Sequence, residues 1–329
     1  MRSFALAIVS VAFLVIIVPL FIIIFFSGPA WVQAERPAPK KEDGMTVRVY
    51  LHETDEIKAM NLEEYVKGVV AAEMPAEFHP EALKAQAVAA RTYAVQNMVS
   101  MGGAGLADRP GADVTTDPRL GQGWADEAKM KARWGFLGFQ KYWPKINKAV
   151  EETQGMILTY QGKPIQAVFH STSSERTASA KEVWGTDHPY LQSVPSAWDK
   201  DAPRYSENRL IPWEDIDKRL GTDTKTVTVS QSDAKNIAQV LSSTESGRVD
   251  RVRIGETTFS GQALREKLQL RSTRFSIQPK PAGLEFVTQG YGHGVGLSQY
   301  GANGMAKDGR TFNEILTYFY TGVVIEKLH

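Results

Sequence analysis

Pro75 fixes the end of a helix, and with it the place of a carboxylate. Residues Val69 to Ala94 read VVAAEMPAEFHPEALKAQAVAARTYA. A proline disfavours helical geometry at the residue before it, so a helix that starts near Leu62 must stop within a residue of Glu73. The start is marked by Asn61 as N-cap with Glu64 three positions on, close to a capping box. A second helix opens at Pro80, a favourable first helical residue, and runs to about Met98. Its Leu83, Ala87, Ala90 and Ala94 form an apolar stripe that Val88 and Ala89 widen, which predicts a mostly buried helix.

Glu73 therefore lies at a helix C-terminus among Val69, Val70, Ala71, Ala72 and Met74. The partial negative charge of the helix end opposes its ionisation, and so does desolvation by apolar neighbours. A carboxyl still protonated when it meets substrate is what a general acid needs. A surface glutamate that merely ends a helix fits the local sequence equally well.

The ends of the chain narrow its class. Phe4 to Phe26 is an uncharged apolar run of 23 residues, interrupted only by Ser10 and Pro19. It is long enough to span a bilayer and longer than the apolar part of a signal peptide, with cleavage after Val32-Gln33-Ala34 as the lesser alternative. Arg2 favours the N-terminus inside. The expected organisation is an anchor over 1–26, a Pro/Ala/charged linker over 27–45 and an extracytoplasmic domain over 46–329. The chain has no cysteine, which rules out disulfides and thiolate metal sites. Its net charge of +1 and the lack of a basic patch argue against nucleic acid.

Alternating helix and strand patterns predict a mixed α+β fold. Val47–Leu51 and Leu284–Gln289 pattern as strands. Met156–Tyr160 and Pro164–Phe169 read as a hairpin across Gln161-Gly162. Trp124–Thr153 reads as largely helical after a glycine-rich stretch. Residues 212–282 differ in texture and are expected to form an inserted smaller lobe. Helices are predicted there over Trp213–Leu220, Ala234–Leu241 and Gly261–Leu268, and strands over Thr226–Val229 and Val249–Ile254. Ser298–Lys307 reads as a helix ended by Gly309, and Thr311 with Glu314 caps another that runs to Tyr320.

Two polar loops are candidates to join Glu73. His170-Ser171-Thr172-Ser173-Ser174 leaves a predicted strand, although an ordinary Ser/Thr turn has the same look. Gly290-Tyr291-Gly292-His293-Gly294-Val295-Gly296 has glycines at alternate positions, which lets backbone approach a ligand closely. Its spacing matches neither the dinucleotide fingerprint nor a phosphate loop. His293 is equally readable as a ligand contact or as a core histidine. The parts of a zinc metalloprotease or a serine hydrolase are missing.

Taken together, the segments resemble the SpoIID/LytB family of endospore-forming bacteria. The resemblance rests on Val70–Ala94, DVTTD at Asp113–Asp117, FHSTSSERT at Phe169–Thr177, PYLQSV at Pro189–Val194, LRSTRF at Leu270–Phe275 and GYGHGVGLSQYGANGMA at Gly290–Ala306. They run in family order across nearly all of the expected ectodomain. Two positions depart from the pattern. Ser174-Glu175 stands where a Gly-Gly pair is expected, and Leu268-Gln269 where Leu-Gly is expected.

This resemblance implies a lytic transglycosylase that cuts the β-1,4 bond between N-acetylmuramic acid and N-acetylglucosamine, leaving a 1,6-anhydro ring. It places the catalytic role on Glu73. Lys84 and Arg91, seven residues apart on one helix face, are candidates to position glycan or Glu73, with a buried salt bridge as the alternative for Arg91. His170, Ser171, Ser173, His293, Gln299 and Tyr300 are candidates for the glycan groove. Some members hold zinc through cysteines, so no metal and no cofactor is expected here. The resemblance also implies work on strands already stripped of stem peptides, in septal wall remodelling and forespore engulfment on the mother-cell side. Stage II sporulation proteins P, an amidase, and M are the partners it implies. A non-catalytic wall-binding scaffold is the rival from another class. An amidase lacks its zinc set.

Overall fold

The structure is a computed structural model, and it describes residues 44–223 and 237–328. The expected 1–26 anchor and the Thr226–Val229 strand lie outside the described residues. Among the described residues no helix is long and apolar enough to cross a membrane. The described part is mixed α+β.

Strand β1 (Thr46–Leu51) turns Val47 and Val49 into the core and pairs antiparallel with β2 (Glu56–Asn61). From β2 the chain enters helix α1 (Leu62–Glu73). Asn61 Oδ1 caps it, accepting from the backbone N–H of Glu63 at 2.8 Å and of Glu64 at 3.3 Å. The helix stops where Pro75 requires, with Met74 extended at φ −108°, ψ 142°. Helix α2 (Pro80–Asn97) follows, with Pro80 in its first turn. Ala82, Ala85, Ala87, Ala89, Ala90 and Ala94 of α2 are all fully buried. Small side chains on every face let α1, the helix α3 (Glu127–Glu152), the strand β4 (Met156–Tyr160) and the two C-terminal helices pack around it. A helix apolar all round is stable only inside such a shell.

Strand β3 (Val114–Thr115) lies parallel to β1. Helix α3 is shorter than the expected Trp124–Thr153 and is broken at Gly135, whose φ is 66°. The turn at Gln161-Gly162 has positive φ at both residues, 52° and 74°, as a tight hairpin requires. The returning strand is shorter than expected: β5 is only Lys163–Pro164. Pro164 has no N–H to extend the ladder, and the chain leaves β4 after Ile165. It re-forms as β6 (Phe169–His170), which pairs in parallel with the distant Leu297–Ser298. A short helix α4 (Ala180–Trp184) follows, closed by a capping box at Ser179 and Glu182.

A second hydrophobic cluster runs from Ile211 to Phe286. It is made by β7 (Ser206–Pro212), α5 (Trp213–Leu220), β8 (Ala238–Ser243), β9 (Val249–Ile254), β10 (Thr257–Ser260), α6 (Gly261–Leu268), β11 (Phe275–Lys280) and β12 (Gly283–Gln289). Two three-stranded antiparallel sheets, β10-β9-β8 and β11-β12-β7, carry it. Of the helix expected over Ala234–Leu241, the described Ile237 is helical, while Ala238–Leu241 belongs instead to strand β8. Ala238 pairs with Ile254 and Val240 with Val252, and this cross-strand packing overrides the local helical pattern. Beyond β12, β13 (Leu297–Ser298), α7 (Gln299–Lys307), α8 (Phe312–Phe319) and β14 (Val324–Lys327) return to the first core. Thr311 and Glu314 form the expected capping box of α8.

Candidate active site

The end of α1, the end of β6, helix α6 and the glycine loop meet at a cleft of about 880 Å³. Glu73 lines it and is half-buried. Its Oε1 accepts from the Gly123 N–H at 2.5 Å, and the Gln299 side chain also bonds to it. Gly123 is needed for this approach, because a Cβ there would come within 2.9 Å of the carboxylate oxygen. Burial holds the Glu73 carboxyl above its ordinary range, while the Gly123 N–H and Gln299 pull it back down.

His170 and Ser171 enter the cleft from the end of β6, and His293 enters from the loop. The two imidazoles meet edge to face with centroids 5.5 Å apart. His293 Nδ1 accepts from the Val295 N–H at 3.1 Å, which leaves Nε2–H to donate to the Phe169 carbonyl at 2.8 Å. His170 Nδ1 lies 3.1 Å from the Val295 carbonyl and its Nε2 lies 2.7 Å from Ser173 Oγ. Burial keeps both rings neutral. It pushes His293 down to about 4, and His170 well below its usual value, where a second proton beside His293 and the positive charge of Arg248 would also be unfavourable. Neutral, mutually braced imidazoles suit orientation of a ligand better than proton delivery at neutral pH. The loop that carries His293 has φ of 78°, 112°, 87° and 71° at Gly290, Gly292, Gly294 and Gly296. The alternating glycines are thus a backbone requirement, whatever ligand approaches.

The remaining sequence candidates separate. Ser173 is fully buried beneath His170. Gln299 is nearly buried and serves Glu73 and Gln86 rather than lining the cleft. Tyr300 packs edge-on against Phe78 at 4.9 Å. Lys84 pairs with Glu81 at 2.8 Å and Glu152 at 2.7 Å, away from the cleft lining. Arg91 is fully buried and grips Glu63 with two bonds of 2.6 and 2.8 Å. Both cations sit on a helix packed on all sides, so each needs an ionic partner inside the protein.

Several residues outside the sequence candidates also line the cleft. Tyr93, Gln122, Trp184, Arg265 and Tyr291 are the main ones. Trp184 and Tyr291 are 44% and 41% exposed and offer flat apolar faces of the kind on which sugar rings stack. Tyr291 was signalled in the sequence by its place inside the glycine loop, but nothing local joins Trp184 or Arg265 to it. A second carboxylate, Asp199, is fully buried under the same loops. It accepts from Ser196 Oγ at 2.5 Å, Ser298 Oγ at 2.6 Å and the Ser173 N–H at 3.0 Å. It does not reach the cleft. Among the described residues no group of three His, Asp or Glu side chains is placed to hold a metal ion.

Comparison with known proteins gives a consistent answer. A family model described as "Stage II sporulation protein" matches residues 50–160. The "Stage II sporulation protein D" of Bacillus subtilis (strain 168) is 36% identical over 342 aligned residues, covering 99% of this chain and 96% of that protein. The protein of the same name from Bacillus amyloliquefaciens is 40% identical, covering 87% of this chain and 80% of that one. An "Amidase enhancer" of Bacillus subtilis (strain 168) is 27% identical over 79% of this chain and 40% of its own length.

Proposed function

The chain belongs to the stage II sporulation protein D family and so has a role in sporulation, and we propose that it is a peptidoglycan lytic transglycosylase with Glu73 as acid and base. One observation carries the reading. Glu73 is a half-buried carboxyl, held above its ordinary pKa, at the wall of a cleft large enough for sugar rings. Among the described residues no second carboxylate of similar standing lines the cleft near it; Glu266 of α6 does line it, but its side chain is exposed. A hydrolytic glycosidase uses two carboxyl groups, whereas a lytic transglycosylase needs one.

The steps balance on that single group. Protonated Glu73 gives its proton to the glycosidic oxygen as the bond from C1 of the muramic residue breaks, releasing the 4-hydroxyl of the next sugar. Glu73, now a carboxylate, takes the proton of the muramic 6-hydroxyl while O6 bonds to C1. The anhydro ring closes and Glu73 is protonated again. The Gly123 N–H stabilises the carboxylate between the two steps. Trp184 and Tyr291 stack sugar rings, and His170, Ser171 and His293 orient their polar groups.

The uncharged run from Phe4 to Phe26 would tether the domain to the membrane with the cleft outside the cytoplasm. The relative named for amidase enhancement supports work beside an amidase, as expected of stage II sporulation proteins P and M as partners. Mass spectrometry of glycan strands digested with the purified protein tests the reading, with and without stem peptides. Anhydro-muramic ends made by the parent and not by Glu73→Gln support it. Binding without any new ends would establish a scaffold instead.

A further inference from the structure

Helix α3 carries a strong local imbalance of charge. Between Ala128 and Val150 stand Lys129, Lys131, Arg133, Lys141, Lys145 and Lys148, and no Asp or Glu. Asp126, Glu127, Glu151 and Glu152 close the stretch on both sides, so the excess averages out along the sequence and only the fold sets it apart. Four of the six cations have partners. Lys129 pairs with Glu53 at 2.5 Å, Lys131 with Glu127 at 3.1 Å and Lys148 with Glu152 at 3.7 Å, and Lys145 donates to the Ala76 and Phe78 carbonyls. Arg133 and Lys141 are exposed and take part in none of the ion pairs formed among the described residues.

Between those two cations the helix breaks. Gly135 has a φ of 66° at the kink, and a Cβ there would meet nothing within 4 Å, so the corner stands out from the surface. On it lie Phe136 and Leu137, 74% and 78% exposed, the two most exposed large apolar side chains among the described residues. The layer beneath is aromatic and fixed. Trp134 meets Tyr142 edge to face at 5.6 Å, Phe139 stacks on Trp143 at 5.5 Å, and all four pack against the first core. Lys131 Nζ lies 4.8 Å from the centre of the Phe139 ring.

Adjacent large apolar side chains held in water mark a contact surface, and shape and charge say what meets them. A projecting corner fits a yielding phase better than a rigid partner, which would need a matching socket. Leucine offers no flat face to a sugar ring, and no carboxylate stands in this stretch to take sugar hydroxyls. Apolar tips, a belt of Trp and Tyr and a rim of unpaired cations make up a segment suited to the boundary between headgroups and acyl chains. The cations favour anionic headgroups.

We propose that the Gly135 corner of α3 is a lipid-contact site, at which Phe136 and Leu137 enter the outer layer of an anionic bilayer while Arg133 and Lys141 meet its headgroup phosphates. The folded domain makes this contact itself, apart from the Phe4–Phe26 run, and so fixes which of its faces is turned to the bilayer. None of these residues lines the Glu73 cleft, and the contact does not depend on the transglycosylase reading.

The chain has no cysteine, so Leu137→Cys gives one point for an environment-sensitive fluorophore. The labelled full chain is reconstituted into vesicles of phosphatidylcholine alone or mixed equally with phosphatidylglycerol, with and without lipids carrying a quencher at the top of the acyl chain. In the anionic vesicles the emission should shift to the blue and the quenching lipid should dim it. The same fluorophore on Thr258→Cys, exposed on β10, should stay unshifted and bright. Each basic residue near an anionic surface is worth roughly fivefold in binding, so Arg133→Gln with Lys141→Gln should cut the ratio of buried to free label by roughly twentyfold. Raised salt should weaken the contact in the same direction. The fluorophore on Phe136→Cys repeats the reading independently. Labels at both corner positions that stay unshifted in anionic vesicles overturn the proposal. So does equal quenching at Thr258→Cys, or quenching indifferent to headgroup charge and to the two substitutions. A blue shift produced by glycan strands without lipid would make the corner a sugar platform and also overturn it. Anhydro-end release by the labelled chain is read separately. Its absence would sink the transglycosylase reading and leave the lipid contact standing.

Discussion

Glu73 and Asp199 are both carboxylates that burial pushes up, yet their surroundings prepare them for different work. Asp199, raised to about 6, is ringed by donors: two serine hydroxyls and the backbone N–H groups of Ser173 and Gly301. It ties together the Ser173 turn, the start of α7 and the turn at Ser196. Glu73 has the Gly123 N–H and Gln299, and a face on the cleft. A carboxylate saturated by donors is a fixture. One that is desolvated, sparsely bonded and open on one side is a reagent.

The largest effect should come from the reagent. Glu73→Gln keeps the shape and the Gly123 bond but has no proton to give, so cleavage should fall by about a hundred- to ten-thousandfold. Initial rates of anhydro-end release would check this. A variant near parental rate would break the contrast with Asp199.

Asp199→Ala should act on the fold instead. It strands buried donors at Ser173, Ser196 and Ser298, at a cost of roughly 3–5 kcal/mol of stability. Denaturant titration reads the loss. The folded fraction should keep its specific activity within a few-fold, and a selective loss of activity would make Asp199 more than a fixture.

The histidine pair should respond to acid. His293 sits at about 4 in the folded state, below the ordinary value of about 6.5. The unfolded chain therefore binds the proton more readily. The stability this contributes is complete above about 6.5 and is lost as pH falls through 4, up to about 3 kcal/mol in all. Melting curves from pH 7 to pH 4 should flatten in His293→Gln. An unchanged slope would mean that the ring is not held neutral.

The smallest effect has the opposite sign. Glu73 is raised in the folded state, so the folded protein binds its proton more tightly than the unfolded chain does. Its ionisation costs stability as pH rises past the folded value, and that cost is absent below the unfolded one. Glu73→Gln should therefore melt slightly higher than the parent at pH 8 and alike at pH 3. A lower melting point at pH 8 would show that the carboxylate is stabilising, as a fixture is.

Legibility followed the range of the interactions. The cap at Asn61, the stop at Pro75, the start at Pro80 and the capping box at Thr311 all act within a turn, and the helices they bound appear where the pattern put them. Lys84 and Arg91 share a helix face as the spacing says, but only packing showed that Glu81, Glu152 and Glu63 claim them. Ala238–Leu241, expected as the end of a helix over Ala234–Leu241, lies in a strand, because Val249–Ile254 lies beside it.

By itself the sequence determined that a single glutamate ends an apolar helix and that a histidine rides on a loop of alternating glycines. Both follow from rules of local geometry, proline sterics in one case and positive φ in the other. Only the tertiary structure decided what faces them. The Gly123 N–H reaches Glu73 across 50 positions of chain, and His293 finds the Phe169 carbonyl across 124. Arg265 and Trp184 come to the same cleft from separate helices. Such meetings depend on how two hydrophobic cores close around their own residues, and no spacing along the chain records that.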